Sequence, residues 1–83
     1  MTREKIIEKI KEICEEYVIE GFDYASHPEV WWEAYQYALE EKGPEELESI
    51  YVCTDPACGW GDVHAHISAR DGSGCVYVEG GKK

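Results

Sequence analysis

The chain has 83 residues, 43% of them hydrophobic, with 18 acidic and 8 basic side chains and a net charge of −10. That length holds one small domain, expected to span 1–83, whose core is too modest for a deep substrate cleft. The charge repels phosphates, which argues against direct binding to nucleic acid or to an anionic membrane surface.

The opening stretch MTREKIIEKIKEICEEY is charged throughout, so neither a secretory leader nor a membrane span is expected, and the chain reads as cytoplasmic. Residues 3–20 repeat apolar side chains at helical spacing, with Ile6, Ile7, Ile10, Ile13, Cys14 and Tyr17 on one side. This predicts an amphipathic helix ended by Gly21, followed by a loop over 21–25. Ser26-His27-Pro28-Glu29 has the capping-box pattern, in which the Ser26 hydroxyl accepts from the Glu29 backbone N–H. A second helix is therefore expected from His27 to about Lys42, closed by a left-handed Gly43 and by Pro44. Its buried stripe is Trp31, Ala34, Tyr35, Ala38 and Leu39, with Trp32 at the margin, and residues 44–48 are expected to add a short helical turn.

From Ser49 the period changes to two, and three strands follow around Ile50–Cys53, Val63–Ser68 and Cys75–Val78. Asp71-Gly72-Ser73-Gly74 is a tight-turn signal between the last two. The expected fold is α+β: two helices, in an acidic part over 1–48, packed on a three-stranded antiparallel meander over 49–80, with a tail at 81–83. Pairings such as Val52 near Val63 and Ile67 near Val78 put Ile50, Val52, Val63, Ala65, Ile67, Val76 and Val78 toward the helices. Tyr51, Cys53, His64, His66, Ser68, Cys75 and Tyr77 then face solvent, or a second copy if the chain dimerises through its sheet.

The most metal-like stretch is Cys53-Thr54-Asp55-Pro56-Ala57-Cys58, followed by His64 and His66. Two thiolates across a tight loop and a His-x-His pair on one strand face match the donors zinc prefers. Bringing both thiols to both imidazoles is expected to require a bulge, and Cys75, near a turn about 20 Å away at the other end of the middle strand, is not expected to join. Tyr51-Val52-Cys53 with Cys58-Gly59 resembles the second knuckle of zinc-ribbon proteins, including phage late-transcription activators, over about ten residues. The first knuckle is missing, because the one upstream cysteine is Cys14, so the transcription function of that family does not carry over. The competing readings are free thiols, a Cys53–Cys58 disulfide formed on oxidation, and a small thiol-dependent enzyme pairing Cys53 with His64. No cofactor other than a zinc ion is expected, and a zinc hydrolase is disfavoured for want of a carboxylate base beside an open position.

Charge is concentrated in the helical part, where residues 12–48 carry twelve carboxylates and one cation, Lys42. An ordinary solvated face mixes signs, and this one does not. Along the second helix Glu29, Glu33 and Glu40 are spaced by about 6 and 10 Å, close to the interval between backbone phosphates. The leading expectation is therefore a non-enzymatic interaction protein that occupies the basic, nucleic-acid-binding surface of a partner by mimicking phosphate charge. Glu29, Glu33, Glu40, Glu41, Glu45 and Glu46 would supply charge, and Trp32 or Tyr37 buried contact area. In size and charge the chain is similar to phage-encoded inhibitors of host defence such as anti-CRISPR proteins, with no shared motif. The alternative is a zinc-stabilised accessory module built on Cys53 and Cys58.

Overall fold

In a computed structural model that describes residues 2–60 and 63–79, two helices precede a three-stranded antiparallel sheet of order β1-β2-β3. The elements are α1 (Arg3–Glu16), α2 (Pro28–Leu39), β1 (Leu47–Cys53), β2 (His64–Ala69) and β3 (Gly74–Val78). Helix α2 lies on the sheet and α1 packs against α2, as the ααβββ expectation required. The expected tail at 81–83 lies outside the described residues.

Helix α1 starts where the Thr2 hydroxyl accepts the Lys5 backbone N–H at 3.2 Å, and it buries the i, i+4 line Ile6, Ile10 and Cys14. It stops at Glu16 instead of continuing to residue 20, because Val18 turns left-handed at φ 54° and the Ile19 N–H reaches back to the Cys14 carbonyl. That turn drives Ile19 into the core and lays Glu20 beside β1: the Glu20 N–H donates to Glu48 and the Ile50 N–H to Glu20, both at 2.9 Å. The carbonyls of Tyr17 and Val18 accept from Arg70 Nη2 at 2.9 Å, while Arg70 Nε donates to the Glu45 carbonyl. A guanidinium from the far hairpin thus supplies the donors that the last turn of α1 lacks.

The capping box does not form. Ser26 is left-handed at φ 64° and His27 is the N-cap, with no side-chain bond. Arg3 takes the Glu29 carboxylate, donating to it at 3.2 Å, and also donates to the Ser26 backbone carbonyl at 2.8 Å. Helix α2 begins at Pro28 and ends at Leu39, short of Lys42, since the Glu41 and Lys42 N–H groups both turn back to the Ala38 carbonyl. Gly43 is extended at φ −77°, not left-handed, and leads into a 3-10 turn over Pro44–Glu46. Val30 is buried with Trp31, Ala34, Tyr35 and Ala38, whereas the expected core residue Leu39 is exposed.

Trp31 is the centre of the core. Its ring is fully buried, stacked 5.6 Å from Tyr35, and its Nε1–H donates to the Ile50 carbonyl at 3.1 Å. Gly21 passes directly over that bond, so a Cβ there would stand 2.6 Å from Trp31 Nε1 and press on the Ile50 carbonyl oxygen. The requirement for glycine at 21 is one of space and also of backbone conformation, since its φ is +156°.

Strand β1 starts at Leu47, two residues before the expected change of period, and pairs Ile50 with Ile67 and Val52 with Ala65. This shifts the expected partner of Val52 by two and preserves the faces: Ile50, Val52, Ala65 and Ile67 look toward the helices. The second ladder departs from expectation, pairing Ile67 with Cys75, Ala65 with Tyr77 and His64 with Val78. Across the turn the Gly72 N–H bonds to Ala69 and the Ala69 N–H to Ser73, with Gly72 at φ 92°. This is a four-residue turn plus a one-residue glycine bulge, and the extra residue reverses the faces of β3. Tyr77 and Cys75 therefore share the helix-facing side, and Val76 and Val78 the outer side, opposite to the expected arrangement.

Candidate functional site

Cys53 ends β1 directly across the ladder from His64, the first residue of β2, and His66 stands two residues on, on the same outer face. Pairing is regular from Ser49 to Cys53, so the four groups meet without the bulge that the sequence implied. Cys58 is carried back by the 3-10 turn Pro56–Cys58, which the Asp55 carboxylate starts by accepting the Ala57 N–H at 3.0 Å. Gly59 ends that turn left-handed, at φ 80°.

Two sulfurs and one nitrogen from each imidazole lie within 4.8 Å of one another. The Cys53 and Cys58 Sγ atoms are 3.5 Å apart, and the His64 and His66 Nε2 atoms 3.1 Å. A tetrahedral ion with bonds of about 2.3 Å to sulfur and about 2.05 Å to nitrogen has edges of about 3.8 and 3.3 Å. Both observed edges come within about 0.3 Å of these values. The imidazole planes cross at 80°, with the two Nε2 atoms in contact. His64 is fully buried, Cys53 and His66 are half-buried and Cys58 is exposed. The outer-face placement of both histidines is as expected, but solvent exposure of His64 is not, because the segment carrying Cys58 folds back beside it.

The other two cysteines stand apart from this cluster. Cys14 lies in the core, where burial pushes its thiol up to about 11. Cys75 opposes Ile67 on the helix-facing side, and burial raises its thiol too. Within the cluster the hydrogen bond with Cys53 raises the Cys58 thiol above its ordinary value, so a metal held there would have to displace its proton.

On α2 and the turn after it, Glu29, Glu33, Tyr37, Glu40, Glu41, Glu45 and Glu46 are exposed, and Trp32 is half-buried against Tyr35. Two ion pairs form among the described residues, Arg3–Glu29 at 3.2 Å and Lys42–Asp71 at 3.8 Å. Lys42, the one cation of 12–48, is thus turned toward the hairpin, and most of the acidic face is left uncompensated. The reversal of β3 adds a residue that sequence reasoning missed: the Tyr77 O–H donates to Glu33 Oε1 at 2.7 Å, and its ring lies 5.5 Å from that of Tyr37. The glycine-bulge signal in Asp71-Gly72-Ser73 could have revealed it. Glu33, Gln36, Tyr37, Glu40 and Tyr77 line a shallow depression of about 360 Å³.

Burial, then the bond to Glu33, pushes the Tyr77 hydroxyl up to about 12 from an ordinary 10.0. Because the folded value is the higher one, this stabilisation is complete below pH 10 and is lost as pH rises toward 12. The stability difference between the wild type and Tyr77→Phe is expected to narrow across that interval, measured by urea unfolding at stepped pH. A difference that stays constant would contradict the assignment.

No helix among the described residues is long and apolar enough to cross a membrane. Comparison with protein-family models, with curated proteins and with solved structures returns no match.

Proposed function

We propose that the chain is a small non-enzymatic binding module in which Cys53, Cys58, His64 and His66 hold one structural zinc ion. The convergence of two thiols and two imidazoles carries this reading. Nitrogen and sulfur donors suit zinc rather than calcium or magnesium, which take oxygen. Four protein donors complete a tetrahedron and leave no position for water or substrate, as in structural rather than catalytic zinc sites. The same closure disfavours the thiol-dependent enzyme, since a metal-bound Cys53 is not available as a nucleophile. Native mass spectrometry of protein reconstituted with zinc is expected to find one ion per chain, lost in Cys58→Ser and in His66→Ala. Wild-type protein that binds no zinc would refute the reading.

The acidic face is the surface by which this module engages a partner with a basic surface, such as a nucleic-acid-binding enzyme. The depression between Glu33 and Glu40 favours it, because carboxylates flanking two tyrosine rings provide both charge and π faces for a lysine or arginine side chain. Tyr37, more than the half-buried Trp32, is the aromatic anchor in this arrangement. An arginine-rich peptide followed by fluorescence anisotropy is expected to lose affinity about threefold to tenfold with Glu33→Gln and Glu40→Gln together, and again with Tyr37→Ala. Glu8→Gln with Glu12→Gln, on α1, should change it little. Equal losses from the two pairs would reduce the face to diffuse charge.

A further inference from the structure

We propose that the Cys53–Cys58 pair is a peroxide-sensitive lock, which releases the zinc ion when its two thiolates are oxidised to a disulfide; this rests on the zinc reading above. The two sulfurs already face each other at 3.5 Å and need to close by about 1.5 Å to reach bonding distance. Cys58 is exposed and sits in a turn ended by a left-handed glycine, so the oxidant has access to the sulfur carried by the more adjustable segment. Neither remaining cysteine can compete for the pairing, because Cys14 is in the core and Cys75 is on the opposite face of the sheet.

The chemistry balances with a peroxide as oxidant. The Cys58 thiolate attacks the peroxide oxygen, the O–O bond breaks, and a sulfenic acid forms as one oxygen leaves and is protonated to water. The Cys53 thiolate then attacks the Cys58 sulfur and the S–O bond breaks, giving the disulfide and a second water. Two electrons pass from the sulfurs to the peroxide, two protons are taken up, and Zn²⁺ is left with two imidazoles. Losing half of its donors, both of them anionic, releases it. A dithiol reductant reverses the step. Cys53 keeps its ladder pairing with His64, and the metal-mediated tie from the turn carrying Cys58 to His64 and His66 on β2 is gone.

The test uses the zinc-loaded chain carrying Cys75→Ser, with bound zinc measured first by native mass spectrometry. Hydrogen peroxide is then added while a chromophoric chelator reports released metal, and the disulfide is located by mass spectrometry of a non-reduced digest. One equivalent of zinc is expected to be released per Cys53–Cys58 disulfide, with rebinding after dithiothreitol treatment. Full zinc loading followed by retention of the ion under peroxide would overturn the lock and leave the zinc site standing. Release accompanied only by sulfinic or sulfonic acid at Cys58 would overturn it as well. Absence of bound zinc at the first step would refute the site and the lock together.

Discussion

Stripping zinc with a chelator is expected to lower the thermal midpoint by about 15–30 °C while leaving the far-ultraviolet helical signal at room temperature intact. With free zinc about 1,000-fold above its dissociation constant, mass action stabilises the fold by about 4 kcal/mol. A domain of 83 residues shifts by about 4–8 °C for each kcal/mol. Helical structure should survive because an ion held by the proposed cluster would tie the 53–58 segment to β2, whereas α1 and α2 are held by the core around Trp31. Cys58→Ser gives the cleanest check. Its side chain is exposed, so the metal-free variant should melt with metal-free wild type, and only the zinc-dependent shift should vanish. His64→Ala should lower both states, because His64 is fully buried and its removal opens a cavity. If zinc raises the midpoint of Cys58→Ser as much as that of the wild type, the metal is not held by this cluster.

The second large effect concerns Trp31, whose replacement by alanine is expected to cost about 3–5 kcal/mol. Total stability for a domain of this size is about 4–12 kcal/mol, so much of it would be lost. The indole is fully enclosed, and its N–H is the donor to the buried Ile50 carbonyl. Truncation therefore leaves both a cavity and an unpaired acceptor. Gly21→Ala should act on the same contact from the other side, at about 1–3 kcal/mol, since the added methyl meets the Ile50 carbonyl and the indole nitrogen together. Combined, the two changes should cost less than their sum, because removing the indole relieves part of the clash at 21. Urea midpoints measured with zinc saturating separate these core effects from those of the metal. A Trp31→Ala midpoint within 1 kcal/mol of wild type would contradict the arrangement.

What the amino-acid order determined by itself is whatever repeats over a few residues. Ile6, Ile10 and Cys14 mark one helix face, and Trp31, Ala34, Tyr35 and Ala38 another. The alternation of Ile50 and Val52 with Ala65 and Ile67 assigned the faces of the first ladder, and the two thiols and the His-x-His pair marked the donors of the candidate metal centre. The tertiary structure decided where those patterns stop and what they face. Helix α1 ends at Glu16 because β1 bonds to Glu20 and because Arg70, 53 residues beyond Tyr17, supplies donors to the exposed carbonyls. The capping box at Ser26 gave way to Arg3, a stronger donor for Glu29 that arrives from the start of the chain. One bulged residue at Gly72 reversed β3 and set Tyr77 beside Glu33 and Tyr37, creating a depression that no local pattern contains. Cys58 reached the histidines because the 3-10 turn after Asp55 folds back on a ladder whose pairing puts Cys53 opposite His64. Periodicity reports which side of an element is apolar, whereas ends and registers depend on hydrogen-bond partners that are distant in sequence, and those exist only once the layers have packed.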